Sequence, residues 1–290
     1  MKRNIHLLII DPQNDFCDLP INYQGREVLA DGSVANVAPA LPVPGAHADM
    51  QRLGEFITKG VKGLSDISIT LDSHHFLGIE RPGFWMKGDG SDVQPFTEIT
   101  ALDVRQGKFL PRHPQASQRV LSYLDSLEAN GRYKLMIWTT HCEIGTWGHA
   151  VHQDVRNAYH RWEQLQLGVV NKVTKGSNPW TEHYSALMAE VPDPMDPSTQ
   201  LNTSVITALQ QADLLLIAGE AGSHCVKATT EHIVQNFGAS SLSNIVLLKD
   251  CISPVAGFEK QYQDFLTDMA SRGLRTATTL DMLPDVLANK

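Results

Sequence analysis

The stretch LLLIAGEAGSHCVKATTEHIVQNFG, residues 214–238, contains the features that decide the fold. It begins with a short apolar run, which is typical of a strand buried on both faces of a sheet. A glycine-containing turn follows, and from Cys225 onward apolar side chains recur at helical spacing between Val226 and Phe237. A buried strand that turns directly into a helix is the repeating unit of a parallel α/β sheet.

The same alternation of strand and helix continues along the chain in both directions. Apolar runs indicate buried strands at residues 6–10, 66–71, 134–138, 167–173, 213–219 and 244–249, with 275–280 as a further candidate. Helical spacing occurs at residues 48–61, 116–131, 204–212, 227–238 and 259–273. Glycines stand at the expected helix ends at positions 131, 238 and 273. The pattern predicts a three-layer αβα sandwich around a mainly parallel, Rossmann-like sheet of about six strands.

Length and composition are compatible with one large domain. With 290 residues and 42% hydrophobic content, the chain can bury a full core. Stretches rich in Gly, Pro, Asp and Ser interrupt the alternation at residues 18–44, 76–114 and 177–200, and they predict long surface loops. Loops of this length in a compact domain are more often functional than idle. We predict a single domain over residues 1–290 that carries these insertions.

Charge, hydropathy and cysteine spacing exclude several classes of protein. A net charge of −8 argues against a nucleic-acid partner. The apolar runs are too short for a bilayer, which needs about 20 residues, and the N-terminus lacks the pattern of a secretory signal, so we expect a cytoplasmic protein without a membrane partner. The cysteines at positions 17, 142, 225 and 251 include no Cys-x-x-Cys pair and are expected to be free thiols. Taken alone, each is more often a small buried residue than a nucleophile.

Reactive side chains follow five consecutive predicted strands of the sheet. They are Asp11, then Asp72 with His74, then His141 with Cys142, then Lys175, and finally Cys225. Ligands of open parallel sheets bind beyond the carboxyl ends of the strands, so these groups are expected to converge on one edge. The sequence therefore predicts a site that combines carboxylate, imidazole, amine and thiol groups.

Three of these residues form a plausible nucleophilic set. The thiolate form of cysteine attacks carbonyl groups, and a helix N-terminus lowers the pKa of a thiol such as that of Cys225. The ammonium of Lys175 would stabilise the thiolate, and Asp11 would serve as general base and then general acid. The structural alternatives are a solvent-facing loop lysine and a helix N-cap aspartate.

A metal site is the second candidate. Asp72 and His74 are two residues apart, so in an extended segment their side chains point to the same side, and His141 could join them from the neighbouring strand end. The alternative is that Asp72 and His74 are turn residues and bind no metal.

Six segments resemble those of the nicotinamidases within the isochorismatase-like cysteine hydrolases, in order and over nearly the whole chain. They are LLIIDPQNDFC, LPVPGA, LDSHH, WTTHCEIGTWGHA, VTKGSNPWTEHYSAL and IAGEAGSHCVKAT. The resemblance implies a parallel sheet between helices and a catalytic set of Asp11, Lys175 and Cys225. It also implies a cis peptide bond between Glu220 and Ala221, with the backbone N–H groups of Ala221 and Cys225 as the oxyanion hole.

The resemblance further implies a divalent metal, zinc in the first place with iron or manganese as alternatives, held by Asp72, His74 and His141. The family has another histidine shortly after the Asp-x-His pair, and here Glu80 and His75 are the alternatives for that ligand. A carboxylate ligates any of these metals, so the replacement is compatible with binding.

The resemblance also implies an aromatic pocket. Phe16 and Trp138 match family positions that flank the substrate ring, and Tyr184 is a further candidate. Gly222 and Ser223 depart from the family, because nicotinamidases usually have Thr and Asp there.

These expectations predict a cysteine amidohydrolase that converts nicotinamide and water to nicotinic acid and ammonia through a thioester at Cys225, within NAD salvage. The partner is then a small amide, and a homo-oligomer is left open. The alternatives are another small amide, carbamoyl or vinyl-ether substrate, and a non-catalytic binding subunit. A dinucleotide oxidoreductase is disfavoured because no Gly-x-Gly-x-x-Gly follows the first strand.

Overall fold

A computed structural model describes residues 2–290 of the chain. The described strands are β1 (Ile5–Ile10), β2 (Gly25–Val28), β3 (Val34–Val37), β4 (Asp66–Asp72), β5 (Trp85–Lys87), β6 (Thr97–Ile99), β7 (Phe109–Pro111), β8 (Leu135–Ile137), β9 (Asn171–Lys175), β10 (Leu214–Gly219), β11 (Ile245–Leu248) and β12 (Arg275–Ala277). The described α-helices are α1 (Ala46–Gly60), α2 (Ala101–Arg105), α3 (Ser117–Asn130), α4 (Gln153–Gln166), α5 (Thr203–Gln210), α6 (Cys225–Asn236), α7 (Glu259–Ser271) and α8 (Thr279–Ala288). None of these helices is long and apolar enough to cross a membrane.

Six strands form one sheet in the order β12-β11-β10-β1-β4-β9, and every neighbouring pair is parallel. Strand β1 lies in the middle, and all of its side chains are buried because both faces of the sheet are covered. The chain adds β4 and β9 on one side of β1 and then returns to place β10 on the other side. The predicted parallel α/β sheet with helices around it is therefore confirmed.

The predicted strand at 134–138 does not belong to this sheet. Its residues form β8, which pairs antiparallel with β6, and β12 takes the sixth place in the sheet instead. The apolar side chains of Leu135 and Ile137 are buried, but in a second hydrophobic cluster with Ile99. An apolar run indicates that a strand is buried and does not indicate which layer covers it.

Other boundaries also differ from the sequence-based expectation. The strand expected at 167–173 begins only at Asn171. The candidate at 275–280 ends at Ala277, because Thr278 and Asp281 form a capping box that starts α8. Helix α4 was not predicted, although its buried residues at positions 155, 158, 159 and 162 have helical spacing.

Two of the three glycines predicted at helix ends have the left-handed backbone that is typical there. Gly131 and Gly273 have φ angles of 67° and 100°, whereas position 238 has φ −67°.

The prediction of a long surface loop at 76–114 is wrong. This segment contains β5, β6, α2 and β7, and its side chains at Ile79, Trp85 and Ile99 are fully or almost fully buried. They pack with residues of α3 and β8 in the second hydrophobic cluster. The 18–44 segment contains the exposed hairpin of β2 and β3, and residues 177–200 contain no strand or α-helix within the described chain.

Candidate active site

Strands β1 and β10 end side by side at the point where the strand order reverses. Asp11 directly follows β1, and a five-residue turn leads from β10 to Cys225 at the first position of α6. Gly219 permits the close approach of the two strands, because a Cβ there would lie 2.0 Å from the carbonyl oxygen of Ile10. Crevices at such reversal points are the usual ligand sites of open α/β sheets.

The ammonium group of Lys175 joins the carboxylates and the thiol in one buried cluster. Its Nζ lies 3.0 Å from Oδ2 of Asp11, 2.8 Å from Oδ1 of Asp72 and 3.5 Å from Sγ of Cys225. It also donates a hydrogen bond of 3.1 Å to the carbonyl oxygen of His183. The structure thus brings together the three residues of the predicted nucleophilic set, and it adds Asp72 as a second partner of the lysine.

The pKa of the Cys225 thiol is shifted in the direction opposite to the lowering that we expected at a helix N-terminus. Burial raises the pKa of the Cys225 thiol well above its ordinary value; Lys175 lowers it, while the charges of Asp11 and Asp72 raise it further. Burial also raises the pKa of Asp11, against the opposing effect of Lys175. The pKa of Lys175 would fall through burial, but its anionic neighbours raise it well above the ordinary value. A neutral thiol therefore lies beside a carboxyl group of increased basicity, which suits proton transfer to Asp11.

The turn before α6 carries two free backbone donors. The peptide bond between Glu220 and Ala221 is cis, as predicted. The N–H groups of Ala221 and Cys225 have no hydrogen-bond partner among the described residues, whereas that of His224 donates to the carbonyl oxygen of Ala221 at 3.0 Å. Ala221 and Cys225 line the same cavity, so both free donors are available to a developing oxyanion.

The predicted metal ligands also converge. Oδ2 of Asp72 lies 2.9 Å from Nε2 of His74 and 3.2 Å from Nε2 of His141, and the three ligand atoms lie within 4.8 Å of one another. One carboxylate and two imidazoles are a common ligand set for zinc, iron and manganese. Burial and the charge of Arg81 lower the pKa of His141 to about 4. Burial lowers the pKa of His74 as well, but Asp72 and Glu80 outweigh it and raise that pKa to about 9.

Neither of the two alternatives for a further ligand lies in this three-residue group. Oε1 of Glu80 lies 3.2 Å from Nδ1 of His74, on the ring nitrogen that faces away from Asp72. Glu80 therefore orients the imidazole, as carboxylates around metal sites commonly do. His75 is exposed. Arg81, which the sequence did not indicate, donates from Nη1 to Nδ1 of His141 at 2.9 Å and contacts Glu80 at 3.1 Å.

All three predicted aromatic residues line the cavity above Cys225. Phe16, Trp138 and Tyr184 are buried, and Nε1 of Trp138 donates to the hydroxyl of Tyr184 at 3.1 Å. The cavity has a free volume of about 30 Å³.

The cavity has further walls that the sequence did not indicate. They are Leu41, Glu182, His183, His224 and Val255. Burial and the neighbouring Glu80 raise the pKa of Glu182 to about 7, and its Oε2 has no hydrogen-bond partner among the described residues. In the sequence, the one feature that could have identified Glu182 and His183 is that they directly precede Tyr184, a predicted pocket residue.

No family model matches the chain, and no curated protein matches it by sequence. Solved structures do match over nearly the full length. A nicotinamidase pyrazinamidase from Acinetobacter baumanii is 16% identical, with a TM-score of 0.60, over 97% of this chain and 98% of that one. A yeast nicotinamidase bound to the inhibitor nicotinaldehyde is 16% identical, with a TM-score of 0.57, over 94% and 99%.

The L. infantum protein PnC1 in complex with nicotinate is also 16% identical, with a TM-score of 0.55 over 96% of this chain and 93% of that one. At this identity the likeness concerns the fold. The fold expected from the resemblance to nicotinamidases is thus confirmed over nearly the full length of the chain.

Proposed function

We propose that the chain is a cysteine amidohydrolase that cleaves the C–N bond of a small carboxamide through a thioester at Cys225. The observation that carries the proposal is the buried contact of Lys175 with both Asp11 and Cys225, beside the two free N–H groups at Ala221 and Cys225. If Lys175 served only to stabilise the fold, there would be no reason for a neutral thiol and unpaired backbone N–H groups to lie at the same cavity. The fold shared with nicotinamidases supports the same class of reaction.

The proposed first half-reaction forms the thioester. Asp11 accepts the thiol proton while Sγ of Cys225 attacks the carbonyl carbon of the amide. The N–H groups of Ala221 and Cys225 donate to the resulting oxyanion, and Lys175 balances the charge on Asp11. As the C–N bond breaks, Asp11 returns the proton to the nitrogen, and ammonia leaves.

The proposed second half-reaction hydrolyses the thioester. Asp11 takes a proton from a water molecule, whose oxygen attacks the acyl carbon. The same two N–H groups stabilise the second oxyanion, and the C–S bond breaks to release the carboxylic acid. The proton held by Asp11 returns to Sγ of Cys225, so the cluster regains its initial state.

Nicotinamide is the proposed substrate, with nicotinic acid as product, which would assign the protein to NAD salvage. The aromatic residues Phe16, Trp138 and Tyr184 at the cavity support a planar ring. The second candidate is a different small amide, favoured by Leu41, a wall residue from the 18–44 segment.

We further propose that Asp72, His74 and His141 hold a divalent metal ion, with zinc as the first candidate. The fit rests on three convergent ligand atoms within 4.8 Å and on the buried Glu80 that orients His74. A bound ion would supply a coordination position for an acceptor atom of the substrate. Metal analysis should find about one ion per chain in wild type and in His75→Ala, and much less in His74→Ala; equal metal content in all three proteins would contradict the site.

Ammonia release from nicotinamide tests the reaction. Wild type should release ammonia, Cys225→Ala should release none, and Cys251→Ala should behave as wild type, since Cys251 is a buried free thiol outside the cavity. Release that is equal in wild type and Cys225→Ala would refute the proposal. If wild type is inactive on nicotinamide, a panel of small amides separates a different substrate from a non-catalytic protein.

A further inference from the structure

Thr70 is a polar residue in the interior of a buried strand. It lies in β4 and is only 1% exposed. The backbone pairing of β1 with β4 ends at Ile9 and Ile69, one residue before Thr70. A buried hydroxyl group needs hydrogen-bond partners, and those of Thr70 both belong to Asp11, the proposed proton acceptor.

The two hydrogen bonds between Thr70 and Asp11 have opposite directions. The backbone N–H of Asp11 donates to Oγ1 of Thr70 at 3.0 Å, and Oγ1 in turn donates to Oδ1 of Asp11 at 2.5 Å. The chain leaves β1 at this point with a φ of 44° at Asp11, a left-handed conformation that is uncommon outside glycine. One hydroxyl group therefore holds both the backbone and the carboxyl group of Asp11.

The two carboxyl oxygens of Asp11 have different surroundings. Oδ1 accepts from the hydroxyl of Thr70, whereas Oδ2 is buried and makes no hydrogen bond to a described residue. Oδ2 lies 3.0 Å from Nζ of Lys175, and the same Nζ lies 3.5 Å from Sγ of Cys225. The oxygen that shares this ammonium group with the thiol is thus the one that can still take up a proton without losing a hydrogen bond.

We propose that Thr70 is a positioning residue, which fixes the carboxyl group of Asp11 so that Oδ2 accepts the proton of the Cys225 thiol. This inference rests on the proposed amidohydrolase function and deepens it, because it assigns the general base to one oxygen of Asp11. The hydroxyl donated to Oδ1 stabilises negative charge there and makes Oδ1 the weaker proton acceptor. The proton moves from Sγ to Oδ2 and returns from Oδ2 to the leaving nitrogen.

Two substitutions separate the hydroxyl of Thr70 from its shape. Thr70→Val keeps the β-branched side chain without the hydroxyl, and Thr70→Ser keeps the hydroxyl without the methyl group. Loss of one hydrogen bond to a charged group should lower kcat of Thr70→Val about tenfold to hundredfold, with KM within about twofold. Thr70→Ser should stay within about threefold of wild type. A Thr70→Val variant as active as wild type, or a Thr70→Ser variant impaired as much as Thr70→Val, would overturn the inference.

Alkylation of Cys225 separates this inference from the proposed reaction, because it requires no amide turnover. The rate of modification by iodoacetamide, assigned to Cys225 by mass spectrometry, should fall about tenfold in Thr70→Val and stay near wild type in Thr70→Ser. This pattern supports the role of Thr70 even if wild type releases ammonia from no amide, which would refute the reaction alone. Equal rates in wild type and Thr70→Val would refute the inference, whatever the turnover.

A double variant tests whether Thr70 acts through Asp11. In the Asp11→Asn background, Thr70→Val should change the alkylation rate of Cys225 by less than about twofold, since the proton acceptor that it positions is already absent. A further fall of about tenfold would show an independent effect of Thr70 on the site and would overturn the inference.

Ser68→Ala is the matched control for stability. Ser68 is a second buried hydroxyl of β4, also 1% exposed, and it lies 2.9 Å from Nε2 of His6 instead of a proposed catalytic residue. Its loss should lower the free energy of unfolding but leave the alkylation rate of Cys225 near that of wild type. If Ser68→Ala slowed alkylation as much as Thr70→Val, loss of stability would account for both results, and the inference would fail.

Discussion

Two pairs of buried carboxyl groups flank the turn before α6, and they differ in the cation beside them. Asp11 and Asp72 lie on the cavity side, where the buried ammonium of Lys175 contacts both at 3.0 and 2.8 Å. Asp49 and Glu220 contact each other and do not line the cavity. All four residues are almost completely buried, with exposures between 0% and 3%.

One carboxyl group of each pair has a strongly shifted pKa, and the two shifts have opposite directions. Burial raises the pKa of Asp72, but His74 and Lys175 outweigh it and hold that pKa well below the ordinary value. Burial raises the pKa of Glu220 well above the ordinary value, and the charge of Asp49 raises it further. Almost equal burial thus leads to opposite shifts, because His74 and Lys175 lie beside Asp72 whereas another carboxyl group lies beside Glu220.

The pair at Glu220 supports the turn instead of taking part in chemistry. Oε2 of Glu220 accepts a hydrogen bond of 3.2 Å from the N–H of Ser253, whose hydroxyl donates to Asp49 at 2.6 Å. The carbonyl oxygen of Ser253 in turn accepts from the N–H of Gly222 at 2.8 Å. This network holds the segment that presents the free N–H of Ala221 to the cavity.

The largest expected difference between the pairs concerns activity. Asp11→Asn removes the proposed proton acceptor of the Cys225 thiol, so the proposed amide hydrolysis should fall by about 10²–10⁴-fold. Asp49→Asn makes the same chemical change in the other pair and should cost less than about tenfold. Both rates are measured by ammonia release, together with the alkylation rate of Cys225. Comparable losses in the two variants would contradict the division of roles.

The next largest expected difference concerns the free energy of unfolding and tests the role of the Lys175 ammonium. Lys175→Met leaves Asp11 and Asp72 buried without their ammonium partner, which should lower the free energy of unfolding by about 3–5 kcal/mol. Urea unfolding at neutral pH measures this change. A loss below about 1 kcal/mol would mean that water reaches the two carboxylates.

The pH dependence of stability tests the protonated state of Glu220. A carboxyl whose folded-state pKa is raised contributes stability that is present below its unfolded pKa, near 4.5, and is lost as the pH rises toward the folded-state pKa. Relative to Glu220→Gln, whose side chain cannot ionise, wild type should therefore lose free energy of unfolding as the pH rises above about 4.5. Urea unfolding of both proteins over a range of pH measures this difference. Parallel profiles would indicate an ionised Glu220.

The smallest effect is expected for Arg52, the cation of the second pair. Its guanidinium contacts Asp49, but 45% of the Arg52 side chain is exposed, so water screens the interaction. Arg52→Met should change the free energy of unfolding by about 1 kcal/mol or less. A loss as large as that of Lys175→Met would contradict the distinction between a buried and a half-exposed cation.

Much of the fold was predictable because fully buried strands require uninterrupted apolar runs. Strands β1, β4, β10 and β11 were recognised in this way, and the reactive residues that follow β1, β4 and β10 could be identified without coordinates. The error at 134–138 and the missed structure of 76–114 have one cause: short apolar segments are buried in a second hydrophobic cluster, and no periodicity distinguishes one cluster from another.

The sequence by itself determined the parallel sheet, the strand ends that carry Asp11, Lys175 and Cys225, and the resemblance that relates them. Only the tertiary structure decided the states of these groups. The raised pKa of the Cys225 thiol depends on its burial and on the charges of Lys175, Asp11 and Asp72, which are distant from it in the chain. The strength of an electrostatic interaction depends on distance and burial in three dimensions, which a pattern of residue types does not specify.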